Sequence, residues 1–258
     1  MQIYMKNIKM IVSDLDQTLL KSDKTISDFT IKVLEQCQAA GIKTAFASAR
    51  GKSAERITKA ISFDGKVNMN GAIAKIDNKI VYDRLIPYHI ARPFLMACDK
   101  YGIKLSSEIS GMHYTNFDIP ASWSESVSKR VDFSKHDIDA EKICLVNLTN
   151  EDITFVKSIL PDELYLVMST NDSESGFGMI MHKEATKSKA VFELARLWGI
   201  STSEIVAFGD DYNDIDLLSQ CGISVAVANA IDEVKAITNF ICDSNDNDGV
   251  AKWLLENI

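Results

Sequence analysis

The 258-residue chain is predicted to be an α/β protein, a doubly wound parallel-sheet (Rossmann-like) core with an inserted α+β domain. Three observations predict this. Short, β-rich apolar runs alternate with helical patterns as far as about Arg84, the same rhythm returns after Lys183, and the stretch between them mixes helices with hairpin-like strands. Residues 1–83 and 184–258 are accordingly assigned to the core and 84–183 to the insertion.

Ile8 to Asp14 reads as a strand and Ser27 to Ala40 as an amphipathic helix, stopped by Gly41. "IKTAFASAR" (Ile42 to Arg50) is the next strand, followed by a helix from Ser53 to Ile61. "KVNMNGAIAKID" and "NKIVYDRL" read as strands turning at Asp77-Asn78. In the insertion, helices are expected near His89 to Tyr101, Ser122 to Val131 and Glu151 to Leu160, with "KICLVNL", "ELYLVMS" and "GFGMIMH" as strands. The core resumes with helix Lys187 to Trp198, strand "EIVAFGDD", helix Asp214 to Ser219, strand "ISVAVANA", helix Ile231 to Ile237, strand "NFICDS" and a terminal helix. Trp123 and Trp198 fall within helical patterns and read as packing residues.

A net charge of -8 and a pI near 5.1 argue against nucleic acid or an anionic membrane as partner, since both need clustered Lys and Arg. The five cysteines stand singly, without a CxxC pair, as in a reduced intracellular chain. No secretory leader or membrane span is read, so the cytoplasm is the expected location.

In open parallel sheets ligands bind beyond the carboxyl ends of the strands. Four strands here run into polar residues, namely Asp14, Ser48, Asn70 and Asp210. In an extended "SDLDQT", Asp14 and Asp16 share one side. Two carboxylates about 4 Å apart at an effective dielectric near 20 repel by roughly 4 kcal/mol, so the pair calls for a cation or a shared proton. Oxygen-only ligands suit Mg²⁺. A solvated Asp-x-Asp turn is the plain alternative.

"FGDDYNDIDLL" brings further carboxylates to a second strand end, where one of Asp211, Asn213 and Asp214 serves as a helix cap in the simplest reading. Ser48 and the N–H of Ala49 precede a predicted helix, a place for an anion, although Ser48 as a mere cap explains the stretch equally well. Lys187 opens its helix at the end where the macrodipole disfavours a cation, which points to a partner for it.

Taken in order, these four elements resemble the motifs of the haloacid dehalogenase (HAD) superfamily. "DLDQT" is similar to its nucleophile motif, Ser48 to the second, Lys187 to the third and "GDDYND" to the fourth. "NGA", "LARLWGI", "VAVANA" and "DSNDNDGVA" resemble segments of the Cof-type sugar-phosphatase branch. The resemblance implies a Mg²⁺-dependent phosphatase of small phosphorylated metabolites, with the insertion as a mobile substrate-selecting cap. It implies Asp14 as nucleophile, forming an aspartyl-phosphate, and Asp16 as general acid and base. The metal would be held by the carboxylates of Asp14 and Asp210 and the backbone carbonyl of Asp16. Phosphate would be held by Lys187, Ser48, Asn213 and the N–H groups of Leu15 and Ala49, with Thr18 fixing the loop and Asp214 orienting Lys187 or a metal-bound water. Gln17, Ser188 and Ala228 depart from frequent glycines of the family. A phosphotransferase or mutase, and a phospho-accepting module that does not turn over, stand as alternatives; a dehalogenase would lack the second carboxylate.

The run "DSNDNDGVAKWLLE" fails as a calcium loop, because its sixth position is Asp248 and Glu256 comes two places late. His89, His113, His136 and His182 lack metal-binding spacing, and His113 is a candidate substrate contact within the insertion.

Overall fold

The computed structural model describes residues 8–119, 127–168 and 176–258. Strand β1 (Met10–Ser13) is buried along its whole length. Helix α1 (Asp28–Ala39) is capped by the Ser27 side chain, which accepts from the Thr30 N–H, and it buries Thr30, Val33, Leu34 and Cys37, the stripe expected of a helix lying on a sheet. Strand β2 (Lys43–Ala47), helix α2 (Lys52–Ile57), β3 (Gly65–Asn68), β4 (Ile73–Ile76) and β5 (Lys79–Asp83) follow. "KVNMNGAIAKID", read as one strand, is two. The backbone reverses after Asn68 through left-handed Met69 and Asn70 (φ +51° each) and Gly71 (φ +100°), and β4 returns antiparallel to β3. A Cβ at Gly71 would stand 2.0 Å from the Thr186 carbonyl oxygen, so only glycine lets this turn seat against the chain entering the next core helix.

The chain divides into two compact units, the residues up to Asp83 with Thr186–Ile258, and Arg84–Ala185; the return crossing falls after Ala185, where the sequence reading set it after Lys183. The second unit comprises α3 (Tyr88–Tyr101), β6 (Lys104–Ile109), β7 (Met112–Thr115), β8 (Val127–Arg130), β9 (Lys142–Val146), α4 (Asn150–Ile159), β10 (Leu164–Met168) and β11 (Gly178–His182). Its sheet runs β10-β11-β9-β6-β7-β8. Ala91, Phe94, Leu95 and Cys98 of α3 pack with Leu105, Ile143, Leu145 and Ile180 of the sheet. The helix expected over Ser122 to Val131 is corrected: its first five residues, Trp123 among them, lie outside the described residues, and Val127–Arg130 is a strand parallel to β7. All four of its residues are exposed, and Lys129 and Arg130 charge this sheet edge.

The first unit resumes with α5 (Lys187–Leu197), β12 (Ile205–Gly209), α6 (Ile215–Leu218), β13 (Ile223–Val227), α7 (Asp232–Ile237), β14 (Phe240–Cys242) and α8 (Gly249–Asn257). Its sheet has the order β14-β13-β12-β1-β2-β3-β4-β5, parallel from β14 to β3. The central strands β1, β12 and β13 are buried throughout, as befits a sheet covered on both faces. β1 lies between β2 and β12, so successive crossovers leave it in opposite directions. The carboxyl ends of β1 and β12 therefore flank the topological switch point, where such sheets open a crevice for ligands. Asp14 and Asp210 directly follow these two strands. Among the described residues no helix is long and apolar enough to cross a membrane.

Candidate active site

After β1 the chain makes one wide turn over Leu15–Leu19, closed by the Leu20 N–H donating to the Leu15 carbonyl at 2.8 Å. Gln17 is left-handed within it (φ +60°). This turn corrects the reading that Asp14 and Asp16 share one side, since each carboxylate has its own cations. Asp16 accepts from Arg50 Nη2 at 2.7 Å and Lys24 Nζ at 2.9 Å. Burial opposes its charge, but the Arg50 and Lys24 pairs outweigh that and hold the Asp16 carboxyl below the usual carboxylate range.

Asp14 accepts from Lys187 Nζ at 2.6 Å, and the same ammonium donates to Asp214 at 2.7 Å. The Lys187 side chain is 0% exposed. This accounts for a cation in the first turn of α5, since two buried carboxylates overcome both the macrodipole and the desolvation that work against its charge. They push the Lys187 pKa up. Asp214 is fixed in turn, its other oxygen accepting from the N–H groups of Asp210 (3.1 Å) and Asp211 (3.3 Å). Gly209 makes room for it, because a Cβ there would fall 2.6 Å from the Asp214 carboxyl carbon. The cap of the short turn Tyr212–Asp214 is Asp211, whose side chain accepts from the Tyr212 N–H. Asp210 accepts from Thr18 Oγ1 at 2.8 Å, tying the loop after β1 to the end of β12.

Asp14, Asp210 and Asp214 each offer an oxygen within 4.8 Å of the others. One lysine faces three carboxylates, and the imbalance shows in their acidities. Burial, the charge of Asp214 and that of Asp210 lift the Asp14 carboxyl well above its ordinary range despite Lys187. Burial and the Asp214 charge push Asp210 up to about 7. A second cation would relieve this, and an all-oxygen donor set fits a hard divalent ion such as Mg²⁺. The Asp16 carboxylate stands apart from this group, with Arg50 and Lys24.

Ser48 is buried and held by its backbone, with its N–H donating to Val67 O and its carbonyl accepting from the Asn70 N–H, each at 2.9 Å. Its hydroxyl oxygen accepts from the Arg50 N–H at 3.1 Å. The helix expected from Ser53 begins at Lys52 after an N-cap at Gly51, so Ser48 and Ala49 sit in a loop away from a helix terminus, and neither the cap nor the helix-terminus anion site applies to Ser48. Asn213 Nδ2 donates to Asn70 Oδ1 at 3.0 Å, linking the loop after β12 to the turn after β3. Leu15 is fully buried within the loop after β1.

Over residues 11–254 the chain matches the sequence profile of the haloacid dehalogenase-like hydrolases. The chain belongs to that family. A Haemophilus influenzae relative, named only provisionally as a phosphatase, is 30% identical over 268 residues, covering 96% of this chain and 97% of its own length. The 5-amino-6-(5-phospho-D-ribitylamino)uracil phosphatase YitU of Bacillus subtilis is 26% identical over 260 residues, covering 96% of each chain. A solved phosphatase of the HAD enzyme superfamily from Bacteroides thetaiotaomicron superposes with a TM-score of 0.83 at 26% identity, covering 96% of this chain and 94% of its own. The enzyme is a phosphoric monoester hydrolase of this family.

The departures from the HAD pattern have distinct settings. Gln17 occupies a left-handed position where glycine costs nothing and another residue costs about 1–2 kcal/mol. The Ser188 hydroxyl donates to Asp216, and Ala228 is exposed after β13. Arg50 and Lys24 are site-region residues that the motif reading missed, and Asn229 and Asn245 lie in segments it quoted, "VAVANA" and "DSNDNDGVA", without giving them a role. Arg50 carried a faint signal, standing two residues after Ser48 at a strand end, whereas Lys24 carried none. The acidic run at the end of the chain serves as loop scaffolding: Asp246 accepts from Ser22, Asp248 from Ser27, and Asp243 from Asn247 and Lys252. His113 lies in the second unit beside Ser106 (3.2 Å) and Glu108 (3.7 Å).

Proposed function

We propose that this HAD phosphatase is Mg²⁺-dependent, acts on a small phosphorylated metabolite, and carries the phosphoryl group on Asp14. The observation that supports it is the buried Asp14–Lys187–Asp214 cluster, with Asp210 beside it, at the carboxyl ends of β1 and β12. An Asp14 oxygen attacks phosphorus, a new O–P bond forms, and the bond to the alcohol oxygen breaks. Asp16 gives its proton to that oxygen, then takes one from the water that attacks the phosphorus of the Asp14 acyl phosphate, which frees the Asp14 carboxylate and inorganic phosphate. To act as the acid, Asp16 leaves the Arg50 and Lys24 pairs, which favour its charged form. Lys187 neutralises phosphoryl oxygens, aided by Ser48, Asn213 and the Leu15 and Ala49 N–H groups, while Thr18 holds the loop and Asp214 holds Lys187. Mg²⁺ would be held by the Asp14 and Asp210 carboxylates and the Asp16 carbonyl, and when bound it supplies a second positive charge at the phosphate.

In this reading the second unit is the cap that selects the alcohol portion. A sugar phosphate or a phosphorylated ribityl compound, like that in the name of the B. subtilis relative, is the favoured substrate class. The cytoplasm, where such metabolites are found, is the proposed location. Purified enzyme and Mg²⁺ presented with a panel of phosphorylated metabolites should release phosphate repeatedly from such compounds; a single phosphorylation without turnover would refute the reading.

Asp16→Ala is expected to slow substrates with poor leaving groups by about 10²–10⁴-fold and aryl phosphates much less, because only the former need the acid. Equal losses in steady-state rates would remove Asp16 from that role.

Without metal, Asp210 holds a proton in the folded state up to about pH 7 and in the unfolded chain only to about 4. The stability this carries is complete below the unfolded value and is lost as pH rises through about 7, with Asp14 acting in the same direction. Mg²⁺ competes with that proton, so it should raise Tm clearly at pH 8 and scarcely at pH 5 by differential scanning fluorimetry. A shift independent of pH would contradict metal binding at these carboxylates.

A further inference from the structure

We infer that Asn229 and Asn245 are positioning residues that brace the loop bearing Asp14 and Asp16, and that the proton transfer assigned to Asp16 depends on this brace. The inference rests on the phosphatase reading above.

The two asparagines follow β13 and β14, at the carboxyl ends of strands on the β12 side of the sheet. Asn229 Nδ2 donates to the Gln17 carbonyl at 2.7 Å, and Asn229 Oδ1 accepts from the Asn245 N–H at 3.0 Å. Asn245, 3% exposed, sends its own Nδ2 to the Leu20 carbonyl at 3.0 Å. The loop after β1 is thus gripped at Gln17 and Leu20 by one continuous chain of amides. Asn245, buried, spends its side chain on a distant loop carbonyl, and the exposed Asn229 carries that constraint on to Gln17. Gln17 is the point that needs constraint, because it is left-handed without being glycine and it adjoins Asp16.

Arg50 and Lys24 hold the Asp16 carboxylate but not the backbone at Gln17, and the remaining anchors of the loop act elsewhere. Asp14 is held by the Phe208 carbonyl through its N–H (3.0 Å) and by Lys187, and Thr18 is held by Asp210. Loss of the Asn229 amide therefore falls on the Gln17–Thr18 peptide, whose carbonyl it holds. Gln17 would relax toward negative φ and shift the backbone from which Asp16, on leaving Arg50 and Lys24, has to reach the leaving oxygen, while leaving the nucleophile in place.

Asn229→Ala should lower kcat at least tenfold on substrates with poor leaving groups and less than threefold on p-nitrophenyl phosphate. Asn229→Asp, isosteric but without the donor to Gln17, should behave the same way. Gln17→Gly introduced into Asn229→Ala should restore most of the lost rate, because glycine keeps the left-handed position unaided. Equal losses on both substrate types, or no rescue, would reduce the brace to a folding role and overturn the inference. Amide hydrogen exchange at Gln17–Leu20 gives a readout independent of turnover. It should quicken at least tenfold in Asn229→Ala, and unchanged exchange would overturn the brace even if the phosphatase reading failed on its own control, wild-type hydrolysis of p-nitrophenyl phosphate.

Discussion

Asp14→Asn is expected to lower Mg²⁺-dependent phosphate release by about 10⁴-fold or more while leaving the fold intact, because the proposed nucleophile is lost without loss of volume. The stability side has a definite sign. Burial holds the Asp14 carboxyl far above its ordinary range, so an ionised Asp14 costs the metal-free folded state free energy at neutral pH, and a neutral amide removes that cost. Lys187 keeps its pair with Asp214. Thermal unfolding of metal-free Asp14→Asn at pH 7.5 should therefore occur at or above the wild-type Tm. Residual turnover near wild type would assign the nucleophile elsewhere; a collapse in Tm would mean that Asp14 is mainly structural.

Lys187→Met should show the opposite profile, losing activity and stability together. The methionine fills similar space but leaves Asp14 and Asp214 buried with no cation between them. Breaking a buried pair in this way costs about 3–5 kcal/mol. The rate should fall by about 10²–10³-fold from lost neutralisation of the phosphoryl oxygens. Because Asp14 would then lack its countercharge, the stability deficit should shrink on acidification as Asp14 protonates. Urea unfolding at pH 5 and pH 8 checks this, and a deficit that grew toward acid would contradict the charge-based account.

The parts of the site legible in the sequence are those where an apolar strand runs directly into carboxylates, at Asp14 and Asp210. There the pattern itself locates a sheet's carboxyl edge, and the lysine at the wrong end of α5 announced that its charge is spent on a partner. The segments holding Arg50, Asn229 and Asn245 stood out in the sequence, but the contacts these residues make did not, for a physical reason: each joins loops brought together only by strand order, and polar residues in loops are ordinary. Two misread elements had local causes. Asn70-Gly71 is a turn signal of its own, outweighed in the reading by apolar residues on both sides. Val127 and Val131 stand four apart, imitating a helix stripe in a segment that forms an exposed edge strand.

The placement of β1 between β2 and β12 also bears on how the enzyme is made. A ribosome delivers β1 first, but its second neighbour in the sheet emerges almost two hundred residues later, after the whole inserted unit. Until then one edge of a strand buried along its whole length stands open, a hazard for association between nascent chains. The inserted unit, whose contacts are all nearer in sequence, can be complete before the outer unit is. In the proposed mechanism the site is thus completed late, when β12 docks and carries Asp210 to Asp14.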